Sequence, residues 1–484
     1  MINLIKNEIT KIFKKKGIYI TLIITLLFVL LANLLCKYGD NIANNMYSDS
    51  YRIYVETQIR KLDPNKTSDN AEYISLKTDL DIIKLEEKYG KDSWQYYVIN
   101  EKIYPIIRTY NEYKYALEKN EESFKLAEEE YNKYISLLDS GNWQYFAKED
   151  LKNIENEIKE IEEQKANTVS TVQISELESN LYDLNLQKQI LEWRIQKDIS
   201  YNSDRSRILG RYYNEQLNVY RYENNKGEKT YNDKLEYQES LKIANTYKYA
   251  IEKDIKISQG NDLKGILEDF FSNYELFIVV IIVMIAGSIV SEEFNKGTIK
   301  LLLVKPYSRA KILLAKFITT LIIIVFAFVS IVLLQIIIGG ILFGFKDLGT
   351  PTVAYNFNTN SVMEINIFKY LGIAFLHKMP LYILIATIAF AFSTAFTNTP
   401  IAIVISLLGY MSTSIINALV SNFKIAFMRF FITPNWDFTQ YLFGSLPQFE
   451  YISFNFSVII CIIYFLLMIV PTFIIFKKKN IKNV

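Results

Sequence analysis

Long apolar runs alternate with polar stretches along this chain, and six of the runs approach the length of a bilayer crossing. A helix needs about 20 mostly apolar residues to cross the hydrocarbon core. The pattern therefore predicts six transmembrane helices. Their predicted ranges are 18–36, 274–290, 312–343, 380–396, 401–420 and 454–476.

Residues 37–273 contain no such run and are rich in Glu, Lys, Asn and Tyr. Their apolar positions recur at steps of three and four, which is typical of helices with one packed face. Two of these series predict an antiparallel coiled-coil hairpin with its tip at residues 165–173. The predicted seam residues are Leu151, Ile154, Ile158, Ile161, Leu177, Leu181, Leu184, Leu191 and Ile195.

Basic residues cluster beside particular apolar runs. They occur in residues 1–17, in the connector between the second and third runs (291–311), and in 477–482. Because Lys and Arg favour the cytoplasmic side, both termini and the connector are expected in the cytoplasm and residues 37–273 outside the plasma membrane. Residues 1–17 are amphipathic and predict a helix at the inner interface. Residues 421–453 predict an outer interfacial or re-entrant segment.

The predicted fold is therefore all-α: a polytopic membrane protein with six transmembrane helices and a long extracellular helical hairpin domain between the first two. A cleaved signal peptide is an alternative for the N-terminal run. That run is long for a signal peptide, and no small-x-small site comes after it. A lipoprotein would use Cys36, but Leu35 is bulky for the position before a lipidated cysteine.

Charge and cysteine content narrow the function classes. The net charge of +2 combines an acidic region, 37–273, with a basic remainder. The basic residues cluster beside the predicted transmembrane helices and do not form a large positive surface elsewhere, so a nucleic-acid partner is not expected. The two cysteines, Cys36 and Cys461, lie in or beside apolar runs and give the polar region no disulfide framework.

Candidate chemistry inside the predicted spans is sparse. His377 is the single histidine, and we expect it and Lys378 at the outer interface, where charge costs little. The sequence indicates neither a metal-ligand cluster nor a Ser-His-Asp triad. The spans are expected to be nearly free of charge and to lack a buried carboxylate, which favours an amphipathic substrate over an ion.

The connector carries a motif. Glu293-Phe-Asn-Lys-Gly297-Thr298 is followed by Leu301-Leu302 and by Pro306-x-Ser308-Arg309. This series resembles the first cytoplasmic loop of permease subunits of the ABC type-2 exporter family. The resemblance covers residues 1–36 and 274–484, but not the long insertion between them. The alternative interpretation is a generic basic loop.

In that family, this loop carries a coupling helix that docks on a separate ATP-hydrolysing subunit. The resemblance implies that Glu293 and Arg309 contact the ATPase. Gly297 would permit a helix end, Thr298 would cap the next segment, and Pro306 belongs to the same coupling region. The expected partners are an ABC ATPase dimer, a second permease subunit (identical or related) and membrane lipid. A peptide or cell-wall partner is expected at the extracellular hairpin domain, which we call the stalk.

No G-x-x-x-x-G-K-[ST] phosphate loop occurs in the sequence. The chain is therefore not expected to be an enzyme or to bind a cofactor itself, and ATP would be hydrolysed by the partner subunit. The hypothesis is a permease that exports an amphipathic substrate such as an antimicrobial peptide, a drug or a lipid. The alternative is a membrane-anchored cell-surface interaction or sensor protein that uses the stalk.

Overall fold

The computed structural model of the chain describes residues 1–258, 260, 262–300, 307–396, 398–423 and 426–479, and within them all side chains except those of 39–49 and 422. Over this range the fold is all-α, with six helices long and apolar enough to span a membrane. The chain divides into two units. The membrane unit comprises Met1–Lys37, Lys229–Gln238 and Ser258–Val484, and the polar helical unit comprises Tyr38–Glu228 and Glu239–Ile257.

The chain begins with two helices, α1 (Ile2–Phe13) and α2 (Lys16–Ile59). The apolar part of α2, Lys16–Tyr38, is the first candidate span. Leu4, Glu8 and Ile12 recur at every fourth position of α1 and are its buried residues. The predicted amphipathic helix is therefore present, and its buried face includes a carboxylate.

The polar helical unit is a series of helices, the last of which begins in the membrane unit and enters this unit at Glu239. They are α3 (Thr67–Tyr89), α4 (Trp94–Val98), a π-helical turn (Ile99–Ile103), α5 (Tyr104–Lys114), α6 (Glu121–Asp139), α7 (Gln144–Ala166), α8 (Thr171–Gln196), α9 (Asp204–Asn224) and α10 (Tyr231–Lys253).

Helices α7 and α8 pack against each other and are joined by residues 167–170. Lys165 pairs with Glu178 at 2.8 Å and Lys188 with Glu155 at 2.9 Å, which fixes an antiparallel arrangement. All nine predicted seam residues are buried or half-buried. The two helices thus form a hairpin in the expected place, while coiled-coil packing and an extracellular position stay predictions.

One cation lies inside the polar helical unit. Arg194 is 7% exposed, and its guanidinium carbon lies 4.3 Å from the ring centroid of Tyr201. It donates hydrogen bonds to the Ile199 carbonyl oxygen at 3.1 Å and to Ser206 Oγ at 2.9 Å. Burial lowers the pKa of Arg194. These contacts indicate a structural role, because a buried charge needs hydrogen-bond partners.

The membrane unit continues with further helices in the described part of the chain. They are α11 (Leu263–Glu268), α12 (Phe270–Ser288), α13 (Ser291–Asn295), α14 (Arg309–Phe343), α15 (Ile367–Ala395), α16 (Thr399–Met411), α17 (Thr413–Phe423) and α18 (Phe454–Lys478). Asparagine and serine side chains cap several of them. Ser308 caps α14 and Asn398 caps α16, each by accepting a backbone N–H of the first turn.

Five candidate spans begin and end within a few residues of the predicted ranges, and one differs. Helix α15 begins at Ile367 rather than at residue 380, because Pro380 is accommodated inside a continuous helix. Residues 367–379, which lie outside the predicted span, form the first half of this helix. The fifth candidate span, Thr399–Ser421, is broken at Ser412 between α16 and α17.

Two segments between the candidate spans contain short regular elements. Between α14 and α15, strands β1 (Thr352–Asn356) and β2 (Ser361–Ile365) pair antiparallel. The segment before α18 contains 3₁₀ turns and is tied to that helix through Asn435, which is fully buried. Ser457 Oγ donates to Asn435 Oδ1 at 2.8 Å.

Helix α12 lies at the centre of the membrane unit and packs against α14, α15 and α16. Its residues Ile278, Val283 and Ala286 are fully buried. A Cβ atom added at Gly287 would lie 2.9 Å from Ile403 Cγ1, so glycine permits the close approach of α12 and α16. This central helix leads directly into α13 and the connector.

Candidate functional site

The connector begins as a single helical turn whose end is fixed by glycine. After α13, the N–H of Lys296 bonds to the Glu292 carbonyl oxygen at 2.9 Å. Gly297 then adopts a φ of 65°, the left-handed conformation that commonly ends a helix. Thr298 Oγ1 lies 3.4 Å from the Glu293 carbonyl oxygen, to which it donates. Gly297 therefore stands at a helix end, and Thr298 contacts the turn before it.

A buried lysine joins the connector to α1. Lys316, on α14, has a side chain only 1% exposed. Its ammonium lies 2.7 Å from Glu8 Oε2 and 2.8 Å from Glu293 Oε1, and it donates to the Ile289 carbonyl oxygen at 3.1 Å. One side chain thus connects α1, α13 and α14. Removing it would leave two buried carboxylates without this cation, which is costly.

Two further lysines, one on α1 and one just after it, extend this cluster. Lys11 lies 2.9 Å from Glu293 and 3.2 Å from Glu8. Lys15 pairs with Glu292 and donates to Ser288 Oγ at 3.1 Å. Lys296 also pairs with Glu292, at 2.6 Å. We call this set the connector network: Glu8, Lys11, Lys15, Glu292, Glu293, Lys296 and Lys316.

The network changes the pKa of groups at its edge. Burial raises the pKa of the Glu292 carboxyl, but hydrogen bonds from Lys15 and Lys296 outweigh it and hold the pKa below its ordinary 4.5. Desolvation lowers the pKa of Lys11, but Glu293 and Glu8 outweigh it and raise the pKa above 10.5. Both shifts favour the charged forms at neutral pH.

Glu292 should therefore give a pH-dependent contribution to stability. A carboxyl with a lowered folded-state pKa stabilises the fold above its unfolded pKa, and the contribution is lost as pH falls through the folded pKa. We expect the wild type to melt at a higher temperature than Glu292→Gln at neutral pH, and the difference to shrink below about pH 4.5. Melting of detergent-purified protein followed by size-exclusion chromatography measures this.

Glu364→Gln is the matched control, because Glu364 is an exposed carboxylate on β2 of the same unit. If the melting temperatures of Glu292→Gln and of the wild type differ by the same amount at every pH, the lowered pKa of Glu292 would be contradicted.

A second set of contacts holds α13 through hydroxyl groups. Ser393 Oγ accepts hydrogen bonds from the N–H groups of Val290 and Ser291 at 3.1 and 3.0 Å. Ser291 Oγ lies 2.9 Å from Thr399 Oγ1, which also accepts from Asn295 Nδ2 at 3.1 Å. These bonds tie α13 to the end of α15 and the start of α16. The connector is thus held by charges on one side and by hydroxyls on the other.

The predicted coupling residues do not all meet. Glu293 is 8% exposed and pairs with Lys11 and Lys316. Arg309 lies elsewhere: its Nη1 donates to the carbonyl oxygens of Lys477 and Lys479 at 3.1 and 3.0 Å, at the end of α18. Pro306 lies outside the described residues. The predicted contacts of Glu293 and Arg309 with an ATPase stay predictions, and both residues have partners within the chain.

Sequence reasoning missed Glu8 and Lys316. Each carried a signal, because Glu8 stands on the apolar face of α1 between Leu4 and Ile12, and Lys316 interrupts the apolar run of α14. Charged residues in apolar stretches usually have partners inside the protein. The pairing itself joins residues 308 positions apart, which the sequence pattern does not specify.

The expectation of uncharged spans was also wrong. Lys378 was expected at the outer interface, but it is 6% exposed within α15. It pairs with Glu275 of α12 and with Asp437 at 2.6 Å. His377 is half-buried, with Nδ1 2.8 Å from the Ile373 carbonyl oxygen. Because Glu275 is a carboxylate within a candidate span, the expected lack of a buried carboxylate no longer argues against ion transport.

Six helices that are long and apolar enough to span a membrane define this chain as a helical membrane protein. The family described as "Protein of unknown function (DUF2705)" matches residues 236–482, and the chain belongs to this family. It is similar to "Uncharacterized protein YhcI" of Bacillus subtilis (strain 168), with 29% identity over 252 residues, 51% of this chain and 77% of the relative.

A second relative is "Uncharacterized membrane protein YdbK" of the same organism. It is 27% identical over 231 residues, which are 48% of this chain and 89% of the relative. No solved structure matches the chain.

Proposed function

We propose that this chain is the permease subunit of an ABC type-2 transporter that exports an amphipathic substrate. A separate ATPase dimer hydrolyses ATP, and a second permease subunit completes the path. The observation that carries the proposal is the connector network. It joins the motif that resembles a coupling helix to α1 and α14 through one buried lysine.

The basic clusters support a cytoplasmic connector. Lysines from the N-terminal helix and the connector meet the same carboxylates, Glu292 and Glu293. Arg309 contacts the backbone at the end of α18, beside the C-terminal lysines. Three basic segments that are distant in sequence therefore lie at one end of the membrane unit. The distribution of Lys and Arg then favours the cytoplasmic side for this end.

The proposed mechanism uses Glu293 as a positioning residue rather than as a surface contact. A force on the connector would be passed to α14 through Glu293 and Lys316, and to α1 through the shared partner Glu8. Separating such buried pairs costs several kcal/mol, on the order of 3–5. The connector, α1 and α14 would therefore move together. The hydroxyl contacts of Ser393 and Thr399 would pass the same displacement to α15 and α16.

Purification of the tagged chain from its native membrane tests the proposal. We expect an ATP-hydrolysing subunit to copurify with it. Glu293→Gln should keep expression and the copurified subunit but change the rate of ATP hydrolysis at least severalfold, because the connector loses a charged tie to α14. Glu364→Gln, on the exposed β2 strand, should behave as the wild type.

Accessibility labelling tests on which side of the membrane the connector and the hairpin tip lie. In a background without Cys36 and Cys461, a cysteine at Lys300 should react only from the cytoplasm, and one at Thr168 only from outside. The absence of a nucleotide-hydrolysing partner would favour the alternative, an anchored surface or sensor protein. An externally labelled position 300 would overturn both the topology and the transport proposal.

A further inference from the structure

The membrane unit contains a cavity of mixed polar and apolar lining at the end of α12 opposite the connector. Its volume is about 570 Å³, within the range of small-molecule sites. The wall is formed by the start of α12, the junction of α16 and α17, and the segment before α18. Polar and aromatic side chains from all three parts line it, among them Glu275, Tyr410, Thr413, Asn417, Thr433, Trp436 and Asp437.

The charges around the cavity favour a cation. Glu275 and Asp437 line it, and no basic side chain does among the described lining residues. Lys378 stands behind them and pairs with both. One lysine for two carboxylates leaves the wall with a net negative charge. Tyr410 holds Glu275 in place by donating its hydroxyl to Oε1 at 2.6 Å.

Unpartnered polar atoms are a second, independent observation. Trp436 and Thr433 are 2% and 4% exposed, and both line the cavity. Trp436 Nε1 and Thr433 Oγ1 have no hydrogen-bond partner within the described part of the chain. The same holds there for Thr413 Oγ1 and Asn417 Oδ1, on the facing helix α17. Buried polar atoms are normally hydrogen-bonded, so this set indicates a ligand.

We infer that this cavity binds an organic ammonium group that carries an oxygen acceptor a few atoms away. The ammonium would meet Glu275 and Asp437, with Asn417 Oδ1 as a further acceptor. The ligand oxygen would accept the indole N–H of Trp436, which can only donate. A free amino alcohol or amine and the headgroup of phosphatidylethanolamine share this chemistry. The inference is independent of the proposed transport function.

Matched probes test the inference on the full chain in lipid nanodiscs. Phenylalaninol carries an ammonium and a hydroxyl, whereas 3-phenylpropan-1-ol has the same skeleton without the ammonium. In phosphatidylglycerol nanodiscs, calorimetry should show that phenylalaninol binds the chain at least tenfold more tightly than 3-phenylpropan-1-ol does. Glu275→Gln should weaken the binding of phenylalaninol by about tenfold, and Lys378 should stay paired with Asp437. Asp437→Asn is the second variant, should the first fail to fold, and Glu364→Gln is the control.

The lipid composition separates the two ligand sources. If phosphatidylethanolamine in the nanodisc competes with phenylalaninol, the site holds the lipid headgroup. If it does not compete, the site holds a free amine. Equal binding of the two probes, or unchanged affinity in both carboxylate variants, would overturn the inference. Trp436→Phe provides an additional check, because it should weaken the binding of phenylalaninol severalfold without changing the charge of the cavity wall.

Discussion

Replacing Lys316 by methionine should lower the free energy of unfolding of the membrane unit by about 3–5 kcal/mol. The substitution retains the apolar stem but leaves Glu8 and Glu293 as neighbouring buried carboxylates without their shared ammonium. Lys11 still reaches both, but its side chain is 53% exposed and only partly compensates. Size-exclusion chromatography after heating would show the loss as a lowered melting temperature in detergent.

Lys311→Met is the control for this prediction, because Lys311 is an exposed lysine on the same helix. It should melt close to the wild type. Adding Glu8→Gln and Glu293→Gln to Lys316→Met should recover part of the lost stability, since the uncompensated charges are then removed. Equal melting of Lys316→Met and Lys311→Met would show that the network does not stabilise the fold.

Lys378→Met should have an effect of similar size, about 3–5 kcal/mol, at the other end of α12. Glu275 and Asp437 would then face each other without the ammonium that pairs with both. Two adjacent carboxylates disfavour the ionised form of each other. The variant should therefore regain stability as the pH is lowered, opposite to the expectation for Glu292. Melting temperatures across an acidic pH series measure this.

Lys369→Met is the matched control, because Lys369 is exposed on the first turn of the same helix. Combining Lys378→Met with Glu275→Gln should recover stability at neutral pH. If Lys378→Met melts at the same temperature as the control at every pH, the ion pairs of Lys378 do not stabilise the fold.

The helices of this protein could be predicted from periodicity and hydropathy. Apolar length alone places five of the six candidate spans within a few residues, and steps of three and four place α7 and α8 with their turn. These signals are local. The span around Pro380 was misplaced because proline usually ends a helix, whereas here it lies inside α15.

The candidate site depended on pairings that local patterns do not contain. Glu293 was singled out from its motif, but its partners Lys11 and Lys316 lie on two other helices. Lys378 looked like an interfacial charge because its partners, Glu275 and Asp437, are 103 and 59 residues away in the sequence. A charge in an apolar run indicates that a partner exists. Only the packing of the helices shows which residue it is.

The two sides of the connector should respond differently to ionic strength. At about 1 M salt the Debye length falls to about 3 Å, which is comparable with the separations in the pairs of Lys11, Lys15 and Lys296, whose side chains reach solvent. The hydrogen bonds that Ser393 accepts join neutral groups in a buried position and are hardly screened. Concentrated salt would therefore weaken the exposed lysine pairs of α13, while the buried Lys316 contacts to Glu8 and Glu293 and the hydroxyl contacts to α15 would keep the connector in place.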